Sequence, residues 1–168
     1  MRDGHVRMSP TGADAQTFAE TLESEARADG VTKFIAAAAL ACDGGILLVR
    51  RLETEPLLPG FWELPSGGFE PGDGGIIGTL GRELYEETGL RLRCITGYLG
   101  YFDYSTEKHT RVRQWNFLVE MQDGPVVLSR DEHDASVVVH SAAQLGAGFL
   151  ISDESRRVLM AALAALAP

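Results

Sequence analysis

The alternation of apolar and polar positions divides the chain into elements before any chemistry is considered. Residues 14–28 carry Phe18, Leu22 and Ala26 at intervals of four, and Asp29-Gly30 follows, so the spacing predicts a helix with one buried stripe. Residues 32–41 and 46–51 are apolar runs on either side of Cys42-Asp43-Gly44-Gly45, in which Asp-Gly is a hairpin turn signal; the two runs are expected to pair antiparallel. From Pro56 to Gly75 four prolines and a series of glycines break every period, which predicts a long loop of a length that is often functional.

Regular spacing returns at Ile76, where Ile77, Leu80 and Leu84 mark the apolar side of a helix that runs to Thr88 and stops at Gly89. Strand patterns follow at 92–104, 110–120, 124–128 and 135–140, with polar residues 105–109 between the first two. A last helix is expected from Asp153 to Ala167, with Ser152 as its N-cap and Asp153 and Glu154 in the first turn. One helix, a hairpin, a loop, a second helix, several strands and a final helix pack naturally as an α/β or α+β sandwich. The 168 residues, 45% of them hydrophobic, suit a single domain over 1–168, with residues 1–30 an N-terminal extension that contains an appendage helix.

Charge narrows the function classes. A formal charge of -9 argues against a nucleic-acid polymer as partner, because such binders need a basic surface to displace counterions. A small anionic ligand remains compatible if a cation bridges it. Cys42 and Cys94 are too few for a disulfide framework, and both are expected reduced and buried. Met1-Arg2-Asp3-Gly4-His5 has no leader-like apolar run and no segment reaches the length of a membrane span, so no membrane partner and a cytoplasmic location are expected.

The strongest chemical signal lies on the second helix. Glu83, Glu86 and Glu87 stand at i, i+3 and i+4 and therefore point the same way. Glu86 and Glu87 occupy the last turn, where the helix dipole disfavours anions. Like charges about 6 Å apart repel by about 3 kcal/mol at an effective dielectric of 20, and only Arg82 is locally placed to offset this. A solvated acidic face would not concentrate these penalties at one point, whereas a divalent cation reverses both. Oxygen ligands without Cys/His spacing suit Mg²⁺ or Mn²⁺, and such ions bind substrate phosphates.

These residues resemble a known pattern. Arg82-Glu83-Leu84-Tyr85-Glu86-Glu87-Thr88-Gly89-Leu90 is similar, position for position, to the second half of the Nudix box, G-x5-E-x7-R-E-U-x-E-E-x-G-U, in which U is aliphatic. Trp62 to Asp73 resembles the loop that precedes the helix in that family, which places the box over about 67–90. The first half departs from the pattern: with Gly67 as the box glycine the acid is Asp73, and eight residues rather than seven separate it from Arg82; with Gly68 the acid position holds Gly74. The first alignment is preferred because Glu70-Pro71-Gly72-Asp73 keeps the local order.

The resemblance implies a Nudix-type α/β/α sandwich with a mixed sheet and a Mg²⁺-dependent pyrophosphohydrolase of nucleoside diphosphates linked to X. It implies that the Gly67 carbonyl, Glu83, Glu86 and Glu87 hold the metal and that Arg82 orients a carboxylate. Glu83, or Glu132 in Asp131-Glu132-His133-Asp134, would take the proton from the attacking water. Arg51, after Arg50 at the end of a strand, resembles a phosphate-contacting arginine.

Lys108, His109, Arg111 and Arg113 form a local basic patch suited to steering a polyphosphate, with a solvated hairpin as the alternative. Phe102, Tyr104, Trp115, Asn116 and Phe117 are candidates for base stacking or recognition, although alternate aromatics in strands are more often core; Tyr104 and Asn116 are retained as substrate-binding candidates. Relatives acting on ADP-ribose carry a proline where this chain has Tyr104, which disfavours that substrate. A nucleoside triphosphate, oxidised or otherwise non-standard, leads, with nucleotide sugars and dinucleoside polyphosphates behind it. A homodimer is the candidate assembly. The competing classes are a non-catalytic Nudix-fold regulator, which would be expected to lose box glutamates, and isopentenyl diphosphate isomerase, which needs a cysteine in a context that neither Cys42 nor Cys94 occupies.

Overall fold

The computed structural model describes residues 13–106, 108–146 and 148–167; the Met1–His5 stretch lies outside them. In chain order the elements are α1 (Ala13–Ala28), β1 (Lys33–Cys42), β2 (Gly45–Arg51), β3 (Trp62–Glu63), β4 (Ser66–Gly68), α2 (Ile76–Thr88), β5 (Leu92–Ser105), β6 (Arg111–Met121), β7 (His133–Val139) and α3 (Asp153–Leu166). Seven strands form one open, mixed sheet in which β1 runs parallel to β6 and the other pairs are antiparallel. Among the described residues no helix is long and apolar enough to cross a membrane.

Alternation along β1 and β6 sorts side chains to two faces. Ala36, Ala38, Leu40, Trp115, Phe117 and Val119 point to one face, where Ala19, Leu22 and Ala26 of α1 and Ile76, Leu80 and Leu84 of α2 complete a core. Ala37, Ala39, Leu48 and Leu118 point to the other, under Val158, Leu159 and Ala162 of α3. The layers are therefore α/β/α, as expected. The alanine run of β1 lets both helical layers approach the sheet closely. The helix expected as an appendage is built into the first core, since Leu22 and Ala26 are buried in it.

Asp43 and Gly44 both have positive φ, as a two-residue hairpin turn requires. β1 and β2 stay paired only near this turn, Leu40–Cys42 with Gly45–Leu47, and then part. β4 occupies the freed edge of β1, opposite Ile35–Ala37, while β3 pairs with Val49 and Arg50 of β2. The expected 56–75 loop thus contains two short strands, and they carry Glu63 and Gly67 into the fork between β1 and β2.

Two further expectations change. Residues 124–128 are not a strand: Pro125 has no N–H to give, and the following peptides close the end of α2 instead, Val127 N donating to Thr88 O and Ser129 N to Glu87 O. Cys42 and Cys94 are free, as expected, but half-buried rather than buried, at the last residue of β1 and near the start of β5.

Candidate active site

The site is built on α2. Its apolar stripe of Ile76, Leu80 and Leu84 fixes the helix on the sheet, and the i, i+3, i+4 spacing then aims Glu83, Glu86 and Glu87 toward β4 and the β7 loop. Gly89 at φ 71 ends the helix, and its N–H donates to Tyr85 O. The three glutamates sit at different depths: Glu87 is buried, Glu83 is largely covered, and Glu86 is 54% exposed.

Glu87 accepts one bond at Oε1, from Ser66 N at 3.3 Å, while its buried Oε2 has no hydrogen-bond partner among the described residues. Burial pushes its carboxyl well above the usual range, and the charges of Glu63, Glu83 and Glu132 push it further. Burial likewise raises Glu83, opposed by Arg82 and reinforced by Glu86 and Glu132. The charges of Glu63, Glu83, Glu86 and Glu132 thus bear on this face of α2, with the exposed Glu132 acting on both Glu83 and Glu87.

Arg82 is the local counter-charge. It donates to Asp73 through Nε at 2.8 Å and Nη2 at 2.9 Å, to Gly68 O at 2.7 Å, to Glu83 Oε1 at 2.7 Å and to Glu86 Oε2 at 3.0 Å. Asp73 also accepts from Thr79 Oγ1 and from Glu70 N, and the bonds from Arg82 hold its carboxyl well below the usual range. The altered spacing before the helix thus still delivers an acid to Arg82. The turn from Asp73 into the helix takes φ of 71 and 112 at Gly74 and Gly75, and the Asp73 carbonyl rests against Gly78, with no room for a side chain.

Gly67 faces α2 directly. Its missing side chain leaves the space that the Glu83 carboxylate fills, and a Cβ there would overlap that carboxylate. Among the described residues no three His, Cys, Asp or Glu side chains already stand together as a ligand cluster, and the positive charge between Glu83 and Glu86 is that of Arg82. The donor set nonetheless fits a hard divalent cation: oxygen groups only, one of them a buried carboxylate oxygen without a partner, in mutual repulsion.

Two residues that the sequence reading passed over belong to this cluster. Glu63 Oε1 accepts from Arg51 Nη1 at 2.9 Å and lies 3.3 Å from His133 Nε2. His133 is buried, and its Nε2 is 4.0 Å from Glu87 Oε2. Arg51 is held by Glu55, Glu63 and the Leu57 carbonyl, so it sits at the edge of the carboxylates with its donors engaged.

The two base-side candidates lie on β6 and β5. Asn116 is buried on the α3 side of β6; its Nδ2 donates to Gly100 O and Gln114 O, and its Oδ1 accepts from Gln114 Nε2. Tyr104 is partly exposed beside Phe102, and Glu63 is near enough to raise its hydroxyl together with burial. Trp115 and Phe117 are core. The steering patch is corrected: Arg113 is buried and paired with Asp103 and Asp29, and Arg111 bonds the Asp29 carbonyl and Asp103. These arginines tie the end of α1 to the sheet.

Comparison with known proteins agrees with the geometry. Residues 32–162 match the family model for the NUDIX domain. The chain is 37% identical over 79 residues to the m7GpppN-mRNA hydrolase NUDT17 of Bos taurus, a stretch that is 47% of this chain and 26% of that protein. Its fold is similar to the MutT NUDIX hydrolase of Burkholderia pseudomallei (25% identity, TM-score 0.62, 76% of this chain and 95% of that one). It is also similar to the MutT protein of Methanosarcina mazei Go1 (25%, 0.64, 79% and 93%).

Proposed function

The chain belongs to the NUDIX family, and on that footing we propose that it hydrolyses a phosphoanhydride bond in a nucleoside diphosphate linked to a further group. The observation that carries this reading is the buried Glu87 Oε2, which accepts no hydrogen bond among the described residues and feels the charges of Glu63, Glu83 and Glu132. Burial and the neighbouring acids disfavour the charged form of this carboxyl, and a cation bound beside it would reverse both effects. In this proposal the Gly67 carbonyl, Glu83, Glu86 and Glu87 hold Mg²⁺ or Mn²⁺, which when bound supplies charge neutralisation for the polyphosphate and makes water easier to deprotonate.

The side chains do the rest. Asp73 fixes Arg82, and Arg82 fixes Glu83 and Glu86 on adjacent turns. Glu83, or Glu132 from the loop before β7, accepts the proton of the attacking water; the water oxygen bonds to phosphorus as the bond from that phosphorus to the bridging oxygen breaks, and the departing pyrophosphate or nucleotide keeps the bridging oxygen with its electron pair. Arg51, between Glu55 and Glu63, meets the substrate phosphates by exchanging one of these partners. Tyr104 and Asn116 are kept as the base-side candidates, with Asn116 acting through Gln114, to which it is bonded. A regulator without catalysis is disfavoured because all three box glutamates are present.

The leading substrate is a nucleoside triphosphate cut to monophosphate and pyrophosphate; nucleotide sugars and dinucleoside polyphosphates are the alternatives, among them a methylated cap dinucleotide of the kind in the name of the bovine relative. A panel of these compounds, assayed with Mg²⁺ and with EDTA, with phosphate and pyrophosphate separated, tests the reading. Mg²⁺-dependent cleavage of one class is the expected result, and no cleavage of any would overturn it.

Gly67→Ala should separate site from fold. The overlapping group is the flexible end of Glu83, so melting is expected to stay within a few degrees while turnover falls by about 100-fold, as displacements near 1 Å do elsewhere. Unchanged turnover would remove Gly67 from the site.

A further inference from the structure

Helix α2 begins without a cap of its own. Gly75 stands at the N-cap position and has no side chain to offer, and the first turn contains no acidic residue. The missing acceptor comes from another element: Glu23 of α1 accepts from Ile76 N at 2.9 Å. Gly75, at φ 112, allows this approach, because a side chain there would meet the Glu23 carboxylate.

The position of Glu23 is itself secured. Leu22 and Ala26 are buried against Ile76 and Leu80, Phe18 packs edge-on to Tyr98, and Asp29 just beyond α1 bonds Arg113 at 3.0 Å. On the α2 side, the turn that Glu23 caps holds Thr79, whose hydroxyl bonds Asp73, and Asp73 in turn holds Arg82. A chain of hydrogen-bonded groups therefore leads from α1 to the carboxylates. All of α1 lies before residue 32, outside the segment that the family model matches.

We infer that Glu23 is a positioning residue for the active site: it caps α2 from outside the matched domain and thereby sets where Asp73 and Arg82 hold Glu83 and Glu86. The kinetic part of this inference rests on the proposed hydrolase reading. A negative group at the start of α2 also complements its dipole, which adds to the hydrogen bond.

The test uses the full chain with Glu23→Ala and Glu23→Gln, and with Leu159→Ala as a destabilised control on the opposite face of the sheet. Amide exchange at residues 76–79 and Mg²⁺-dependent kcat and KM are measured where every variant is folded. Glu23→Ala is expected to speed exchange at 76–79 and to lower kcat by about tenfold with KM unchanged. Glu23→Gln keeps an acceptor oxygen and should recover most of both, while Leu159→Ala melts earlier and keeps kcat.

A Glu23→Ala protein with wild-type kcat would reduce Glu23 to a stabilising cap and overturn the inference. So would unchanged exchange at 76–79. Wild-type protein inactive on every polyphosphate would instead sink the hydrolase reading, and the exchange data would still decide the capping.

Discussion

Glu87→Gln is expected to lower Mg²⁺-dependent turnover by about 1000-fold while leaving the protein at least as stable as before. The loss follows from removing a charged oxygen at the deepest point of the cluster. The stability follows from the same burial: Oε2 has no partner among the described residues, and Glu63, Glu83 and Glu132 all repel it. A neutral amide of equal size escapes that repulsion, can donate where the carboxylate could not, and keeps the bond that Ser66 N makes to Oε1.

Glu86→Gln offers the contrast. Glu86 is more than half exposed, so its replacement should cost turnover with little change in melting temperature. Melting with and without Mg²⁺ adds an independent readout, because a ligand that binds only the folded state raises its melting temperature. Wild type should gain from the ion, and Glu87→Gln should gain little. Wild-type rates in Glu87→Gln would falsify the assignment of this residue.

Gly78→Ala is expected to destabilise the protein by about 1–3 kcal/mol, against the sign that helix propensity alone predicts. In an exposed helix interior the change would gain about 1 kcal/mol. Here the new Cβ meets the Asp73 carbonyl, a backbone atom that moves only if the Gly72–Gly75 turn moves with it. Gly81→Ala, three residues on and with open space at the Cβ position, should show the ordinary gain. Chemical denaturation of the two variants measures both signs. Turnover should fall only in Gly78→Ala, because moving Asp73 loosens Arg82. A stabilised Gly78→Ala would mean that the turn adapts freely and that the altered spacing carries no structural demand.

What could be read in advance divides along physical lines. Helix α2 was legible to the residue because an apolar stripe, a glycine stop and a run of glutamates agree on one period. The hairpin was legible because Asp43-Gly44 suits only a narrow set of turns. The role of Asp73 was not, since spacing along the chain does not show how three positive-φ glycines fold a longer turn back onto Arg82. Glu63 and His133 lay within segments already singled out, beside Trp62 and Glu132, but their meeting depends on β2 pairing with both β3 and β7. For Asn116 the alternation gave the correct face and left its bonds to Gln114 and Gly100 invisible. Arg111 and Arg113 read as a free basic patch because their pairing with Asp103 depends on the β5–β6 register and their other partner, Asp29, is 82 or more positions away in sequence.

The closure of α2 by residues 127–129 bears on how Glu132 can move. Ser129 is anchored to Glu87 O, Glu132 N bonds back to Ser129 O, and Glu132 O accepts from Leu52 N. The backbone of this acid is thus moored to the carboxylate helix on one side and to the end of β2 on the other. Any travel it makes toward the site is a rotation of its own side chain, an event of picoseconds to nanoseconds rather than the microseconds of a closing loop. Were Glu132 to take up a proton at the site, its side chain would turn while its backbone stayed moored.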